Sequence, residues 1–270
     1  METRNRWAVI AVTLGALALL LPLPAAAQES GAEIVRTIMD RSEARLEGVD
    51  SVTVVQETTT PLGTTRRQEL RLVKGTRGGR TMLVPEAGQS AAQVMPPASL
   101  FAKGDSLRDR SVLRGRSEVD GHGVYVVAIP DLAGLDFGQG ALSGASGRSV
   151  EADSAIAHVD AESYVPRRIE TYGRIDMGGR ERAFDAIIRL GDYREVRGYL
   201  HPFRTEIQVN VEGMGEQMQA LMQKMQESGT DSARRAMMEQ AMAAMMGGGI
   251  SITSTVTELR VNGRGPSGGG

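Results

Sequence analysis

From Ile156 to Val211, apolar and polar residues alternate in runs separated by short clusters of Gly, Asp and Ser. Ile156 to Asp160 reads as a strand, and Ala161-Glu162-Ser163 turns it. Val165 to Ile175 returns, and Met177-Gly178-Gly179 makes the next hairpin. Arg182 to Leu190 sets Phe184, Ala186, Ile188 and Leu190 on one face; Arg197-Gly198 turns again, and Phe203 to Val211 alternates through Ile207, Val209 and Val211. Period-two alternation bounded by turn residues predicts a half-buried antiparallel sheet. Such a sheet has one apolar face that something must cover.

The rest of the pattern extends this sheet. Residues 31–47 predict a helix, with Ile34, Ile38 and Leu46 along one face, Val35 and Met39 widening it, Ser30 and Glu33 as a capping box, and Gly48 as its stop. Strands follow over 51–60, 65–74 and 80–84, joined by Pro61-Leu62-Gly63 and Thr76-Arg77-Gly78-Gly79. Residues 85–111 read as a mixed loop, and 112–129 as a hairpin turned at Asp120-Gly121. The Gly/Ser/Ala-rich stretch 131–149 carries Leu132, Leu135, Phe137 and Leu142, and reads either as a surface loop held by apolar anchors or as a lid over an apolar opening. Residues 213–249 predict an inserted helical hairpin on a glycine hinge, 250–261 a closing strand, and 263–270 a disordered Gly-rich tail.

Composition narrows the setting. Residues 1–27 read as a signal peptide: Arg4 and Arg6, an apolar run from Trp7 to Leu21, and an A-x-A site at Ala25-Ala26-Ala27. The run is shorter than the roughly 20 residues a spanning helix needs. The expected address is the periplasm, with cleavage near Ala27. There is no cysteine, which excludes disulfides, thiolate chemistry and lipidation of the mature chain. The formal net charge is −2 with both signs interspersed, so no basic stripe points to nucleic acid. Three histidines, no HExxH, no phosphate loop and no GxSxG elbow leave no catalytic set; an enzyme is not expected, and neither is a cofactor.

VDAESYVPRRIE (159–170) and LGDYREVRGYLHPFRTEIQV (190–209) carry a resemblance. Tyr164, Pro166 and Arg167 match a first motif; Asp192, Tyr193, Arg194, Glu195, Gly198, Pro202 and Phe203 match a second. The hairpin EVDGHGVYVVAI (118–129) and the helix leading into VDSVTVVQE fit the same pattern. The chain resembles the outer-membrane lipoprotein carrier superfamily, the LolA/LolB-like domains that include lipoprotein-sorting proteins and the sensor domain of MucB/RseB. The resemblance spans 31–211 and the final strand. It implies a mainly β (α+β) fold over 28–262: a half-open antiparallel β-barrel lidded by helices and enclosing an apolar cavity for acyl chains. It further implies a carrier that takes a lipid or lipoprotein from an inner-membrane release complex to an outer-membrane acceptor.

On that fold the expected cavity residues are Val52, Val54, Leu70, Leu72, Val124, Val126, Ile188 and Ile207, although a slip of one residue inverts the face of any strand. Leu135, Phe137, Met218, Met222, Met238 and Met242 are the lid candidates. Nine of the 14 methionines fall in 213–246. At helical spacing they read as core packing, as an adaptable face for acyl chains or a partner, or as soft donors for Cu(I). The alternative function is an envelope-stress sensor or interaction module on the same fold, docking through this hairpin.

Overall fold

The computed structural model describes residues 29–60, 63–77, 79–86, 104–133, 150–176, 179–216, 223 and 250–263. The alternation predicted from sequence is realised as one antiparallel sheet. Helix α1 (Gly31–Ala44) is followed by β1 (Ser51–Thr59), β2 (Thr65–Arg77) and β3 (Arg80–Pro85). After a short α2 (Gly104–Arg110) come β4 (Val112–Val119), β5 (His122–Ile129), β6 (Val150–Asp160), β7 (Pro166–Asp176), β8 (Glu181–Val196), β9 (Tyr199–Val211) and β10 (Ile250–Val261). The ten strands lie in the order β3-β2-β1-β10-β9-β8-β7-β6-β5-β4. β4 to β9 form a meander, and β10 joins it to the β1–β3 hairpins.

Three elements depart most from the expected bounds. α2 sits where a loop was read; at seven residues it is too short to display a helical period. β6 starts at Val150 rather than Ile156, because the ladder is irregular between Ala152 and Ser154 and the alternation breaks there. β8 runs on through Gly191 and Asp192 to Val196. Asp192 takes a positive φ of 51°, so a pair that normally signals a turn is absorbed within the strand.

α1 begins as its capping box predicts: Ser30 Oγ accepts from the Glu33 amide at 3.2 Å, and the Ser30 amide donates to Glu33 Oε2 at 2.7 Å. The helix then reaches both free edges of the sheet. At β3, Arg80 pairs with Asp40 at 3.0 Å and with Glu43 at 3.8 Å. At the other edge, Gly31 lies so close to the segment entering β4 that a Cβ would sit 2.7 Å from the Ser111 carbonyl. A single helix touching both edges of a ten-stranded sheet requires the sheet to curl. The result is a half-open barrel with α1 across its opening.

Seven apolar residues stand opposite one another across the ladder: Leu113, Val127, Ala157, Ile169, Ile188, Ile207 and Ile252. They mark the concave face. Gly173 belongs to it: a Cβ there would fall 2.1 Å from the Glu151 carbonyl oxygen and 2.8 Å from the Phe184 ring. Overpacking of this kind costs about 1–3 kcal/mol. Gly173→Ala is therefore expected to lower the unfolding free energy by that much, read as a lower urea midpoint at an unchanged slope; an unchanged midpoint would show that the Glu151 backbone and the Phe184 ring both give way freely.

Candidate functional site

α1 covers one part of the concave face and does not reach another. Under α1, Ile34, Val35, Ile38 and Met39 pack with Tyr125, Val127, Ile129, Ile169, Ile188 and Leu190. Burying one such side chain is worth about 1.5–3 kcal/mol, so the helix is held chiefly by this contact. A second cluster joins Leu46 and Val49, which follow α1, to Val52, Val54, Leu70, Leu72, Tyr199, Phe203 and Leu259. Between α1 and the sheet remains a cavity of about 50 Å³ bordered by Ile38, Ser42, Leu46, Leu83, Tyr193 and Leu200. Ligand pockets measure roughly 300–1,000 Å³. This void has room for a water or two, not for an acyl chain.

The part that α1 does not reach lies toward the far ends of β6 to β10. Val150, Phe184 and Ala186 form a third cluster, with Ile175, Val209 and Val211 half-buried against it and no α1 residue among them. The ladder sets Phe184 opposite Val211, and Ala186 opposite Val209 and, beyond it, Ile250. Ile207 and Ile252, also half-buried, join this strip to the covered core. At its outer end Arg182 faces Ile175 across the ladder.

The expected cavity residues are dispersed over this geometry. Val52, Val54, Leu70 and Leu72 are packed inside the second cluster. Ile188 lies under α1, and Ile207 stands at the boundary of the strip that α1 does not reach. On β5 the core under α1 takes Tyr125, Val127 and Ile129, which puts Val124 and Val126 on the opposite, convex face. The lid candidates Leu135, Phe137, Met218, Met222, Met238 and Met242 lie outside the described residues. The strip itself was visible in the sequence as two alternating runs, Phe184–Leu190 and Ile207–Val211. Its distinction from the covered core depends on where α1 lands.

Polar groups at the inner end of the barrel are structural. Asp160 Oδ1 accepts from the Ser163 amide and hydroxyl, both at 2.8 Å, and from the Glu162 amide at 3.1 Å. Asp160 Oδ2 accepts from Arg167 Nη2 at 2.9 Å and Nε at 3.0 Å. Burial pushes this carboxyl up, yet the Ser163 donors, the Arg167 guanidinium and the Glu162 amide outweigh it and hold the group at about 2. Arg41 and Arg45 of the α1 end donate to the carbonyls of Glu162 and Ser163 in the same turn, each at 2.6 Å. The β6–β7 turn is thereby fastened to the helix that closes the barrel. On the convex face His158 bonds Glu170 at 3.1 Å. His201 is buried between Tyr199 and Phe203, with its Nδ1 unpartnered, and burial lowers it to about 4. Among the described residues, no three His, Asp or Glu side chains converge to hold a metal, and no helix is long and apolar enough to cross a membrane.

No family model matches the chain, and no curated protein matches it. Among solved structures it is similar to a domain from Vibrio parahaemolyticus described as an outer membrane lipoprotein-sorting protein, at 13% identity over 86% of this chain and 92% of that one, with a TM-score of 0.45. It is also similar to a DUF1329 family protein from Desulfovibrio piger, at 9% identity over 86% of this chain and 92% of that one, with a TM-score of 0.41. A further similar structure is that of a LolA superfamily protein from Nitrosomonas europaea, at 13% identity over 83% of this chain and 92% of that one, with a TM-score of 0.40.

Proposed function

We propose that this chain is an exported periplasmic carrier that holds the acyl part of a lipid or lipoprotein and moves it toward the outer membrane. The observation that carries the reading is the strip of Ile175, Val209 and Val211 on the concave face, half-buried against the buried Phe184 and Ala186 and not reached by α1. An apolar strip on the inside of a half-open barrel offers area without directional bonds, so it holds many chain types reversibly. Each buried methylene contributes about 0.8 kcal/mol, or on the order of 10 kcal/mol for a 16-carbon chain before ordering costs. The signal-like first 27 residues and the two motif runs at 159–170 and 190–209 support the same reading.

Val209→Asp sets a charge in the strip without touching the core under α1. Native mass spectrometry of the protein purified without detergent is expected to show about one lipid or acylated peptide per chain for the wild type. The variant should lose it while keeping its circular dichroism spectrum. Lipid retained by Val209→Asp would overturn this placement. The filled interior under α1 favours a second reading, an interaction module that carries no lipid. A wild type that stays empty and refuses added lipid would select it.

A further inference from the structure

Glu29, one residue ahead of the α1 N-cap, carries an unfinished carboxylate. The Tyr164 hydroxyl donates to its Oε1 at 2.9 Å, and hydrogen bonding to the same carboxylate pushes the Tyr125 hydroxyl up. The two rings stand 5.8 Å apart. Glu29 Oε2 is buried and has no hydrogen-bond partner. An unpaired buried carboxylate oxygen is costly, so the site calls for a donor. The neighbouring charges are engaged on other groups. Arg41 lies over the Tyr164 ring at 4.4 Å and gives its Nη1 to the Glu162 carbonyl. Arg116 lies over the Tyr125 ring at 4.8 Å and gives its Nη2 to the Tyr125 hydroxyl. Glu33 accepts from the Ser30 amide in the capping box.

The sequence supplies the donor. Cleavage after Ala27 makes Gln28 the first residue and turns its neutral amide nitrogen into an α-ammonium with three donors, next to Glu29. Consecutive Cα atoms lie about 3.8 Å apart, so the Glu29 side chain spans the distance to that nitrogen. A cation just ahead of a helix opposes the positive end of the helix dipole; a carboxylate between the two offsets that cost. We propose that the α-ammonium of the mature chain binds Glu29 Oε2, and that this ion pair forms only after processing. In the precursor the same nitrogen has one hydrogen and no charge. The clasp of Glu29 with Tyr125 of β5 and Tyr164 of the β6–β7 turn is therefore completed by the cut itself, and a chain awaiting export is less stable than the chain that arrives. This rests on the exported reading and adds to it a device that couples processing to stability. Cyclisation of Gln28 undoes it: the α-nitrogen attacks the side-chain amide carbon, ammonia leaves, and a neutral lactam remains.

The test compares the chain beginning at Gln28 with one that keeps Ala26 and Ala27 ahead of it, each with and without Glu29→Gln. Mass spectrometry selects samples in which Gln28 has not cyclised. The Tm of the mature chain is expected to exceed that of the extended chain by about 4 °C or more, and Glu29→Gln should abolish the difference. An extension that merely crowds the chain start lowers Tm equally in both backgrounds, and that result would overturn the pair. Equal Tm values in the wild-type background would overturn it as well. Should Glu29→Gln fail to fold, pH decides. The pair raises the folded pKa of the amine above its unfolded value of about 8. Its contribution is then full below that value and is lost as pH rises through the folded one. Tyr125, Tyr164, Arg41, Arg116 and Glu33 are common to both chains and drop out of the comparison. The advantage of the mature chain must therefore shrink between about pH 6.5 and pH 10.5; an advantage independent of pH would count against the α-ammonium. N-terminal sequencing of the exported protein separates the premise from the pair. A first residue other than Gln28 removes both, whereas a start at Gln28 with equal Tm values removes the pair alone.

Discussion

Arg167→Met is expected to cost about 3–5 kcal/mol of stability, the penalty for leaving one member of a buried ion pair without its partner, and to lower Tm by on the order of 10 °C. Asp160 is 6% exposed and Arg167 15% exposed at their side chains. Both donors of Arg167 fall on one oxygen, Asp160 Oδ2, while the turn amides and the Ser163 hydroxyl occupy the other. Removing the guanidinium leaves Oδ2 with only the His122 ring, 3.4 Å away. The damage should spread, because the carbonyls that Arg41 and Arg45 grip belong to the same turn. Loosening it frees the end of α1 and opens the apolar core to dyes such as ANS. The double variant Asp160→Asn, Arg167→Met removes both charges and should recover a large part of the loss, which separates the charge effect from lost packing. A single variant within 1 kcal/mol of the wild type would show that the pair does not hold the turn.

The strands were legible where burial is one-sided. Phe184–Leu190 and Ile207–Val211 alternate because one face meets the core and the other meets water, and the ladder sets Ile188 opposite Ile207 as that pattern requires. Legibility failed at β5 for a physical reason. Val124, Tyr125, Val127, Ala128 and Ile129 are all buried, so VYVVAI shows no alternation from which to choose a face. The choice was made by α1, which takes Tyr125, Val127 and Ile129, and no local pattern encodes that contact. The same cause hid the division of the concave face. Val52, Val54, Leu70 and Leu72 look like cavity wall in sequence, yet the segment after α1 brings Leu46 and Val49 onto them. The capping box at Ser30 and Glu33 was readable because it is local.

The second large effect concerns acid. His201 sits in β9 with the Tyr199 ring centroid 5.8 Å away and the Phe203 ring edge-on at 6.4 Å, and its Nδ1 has no partner. Opposite it on β8 stands Arg194, lying over Phe203 at 4.5 Å and paired with Asp192, so an added proton would face another cation, whose carboxylate partner is already engaged. Burial lowers the folded-state pKa to about 4, against about 6.5 in an unfolded chain. Between those values the unfolded chain takes up a proton that the folded one refuses, so stability falls as pH falls through this window. The loss from pH 7 to pH 4.5 is expected to be about 2–3 kcal/mol. Asp160, held at about 2, gives up its own contribution only below the usual aspartate value near 3.8, so the two effects separate on the pH axis. Urea midpoints of the wild type and of His201→Leu at pH 7 and pH 4.5 decide the matter. The wild type should lose stability across that interval, while the variant, of similar volume and without a titrating group, should lose far less. Equal losses would place the acid sensitivity elsewhere. Because His201 shares β9 with Val209 and Val211, a proton forced onto it strains the strand that also forms one wall of the apolar strip.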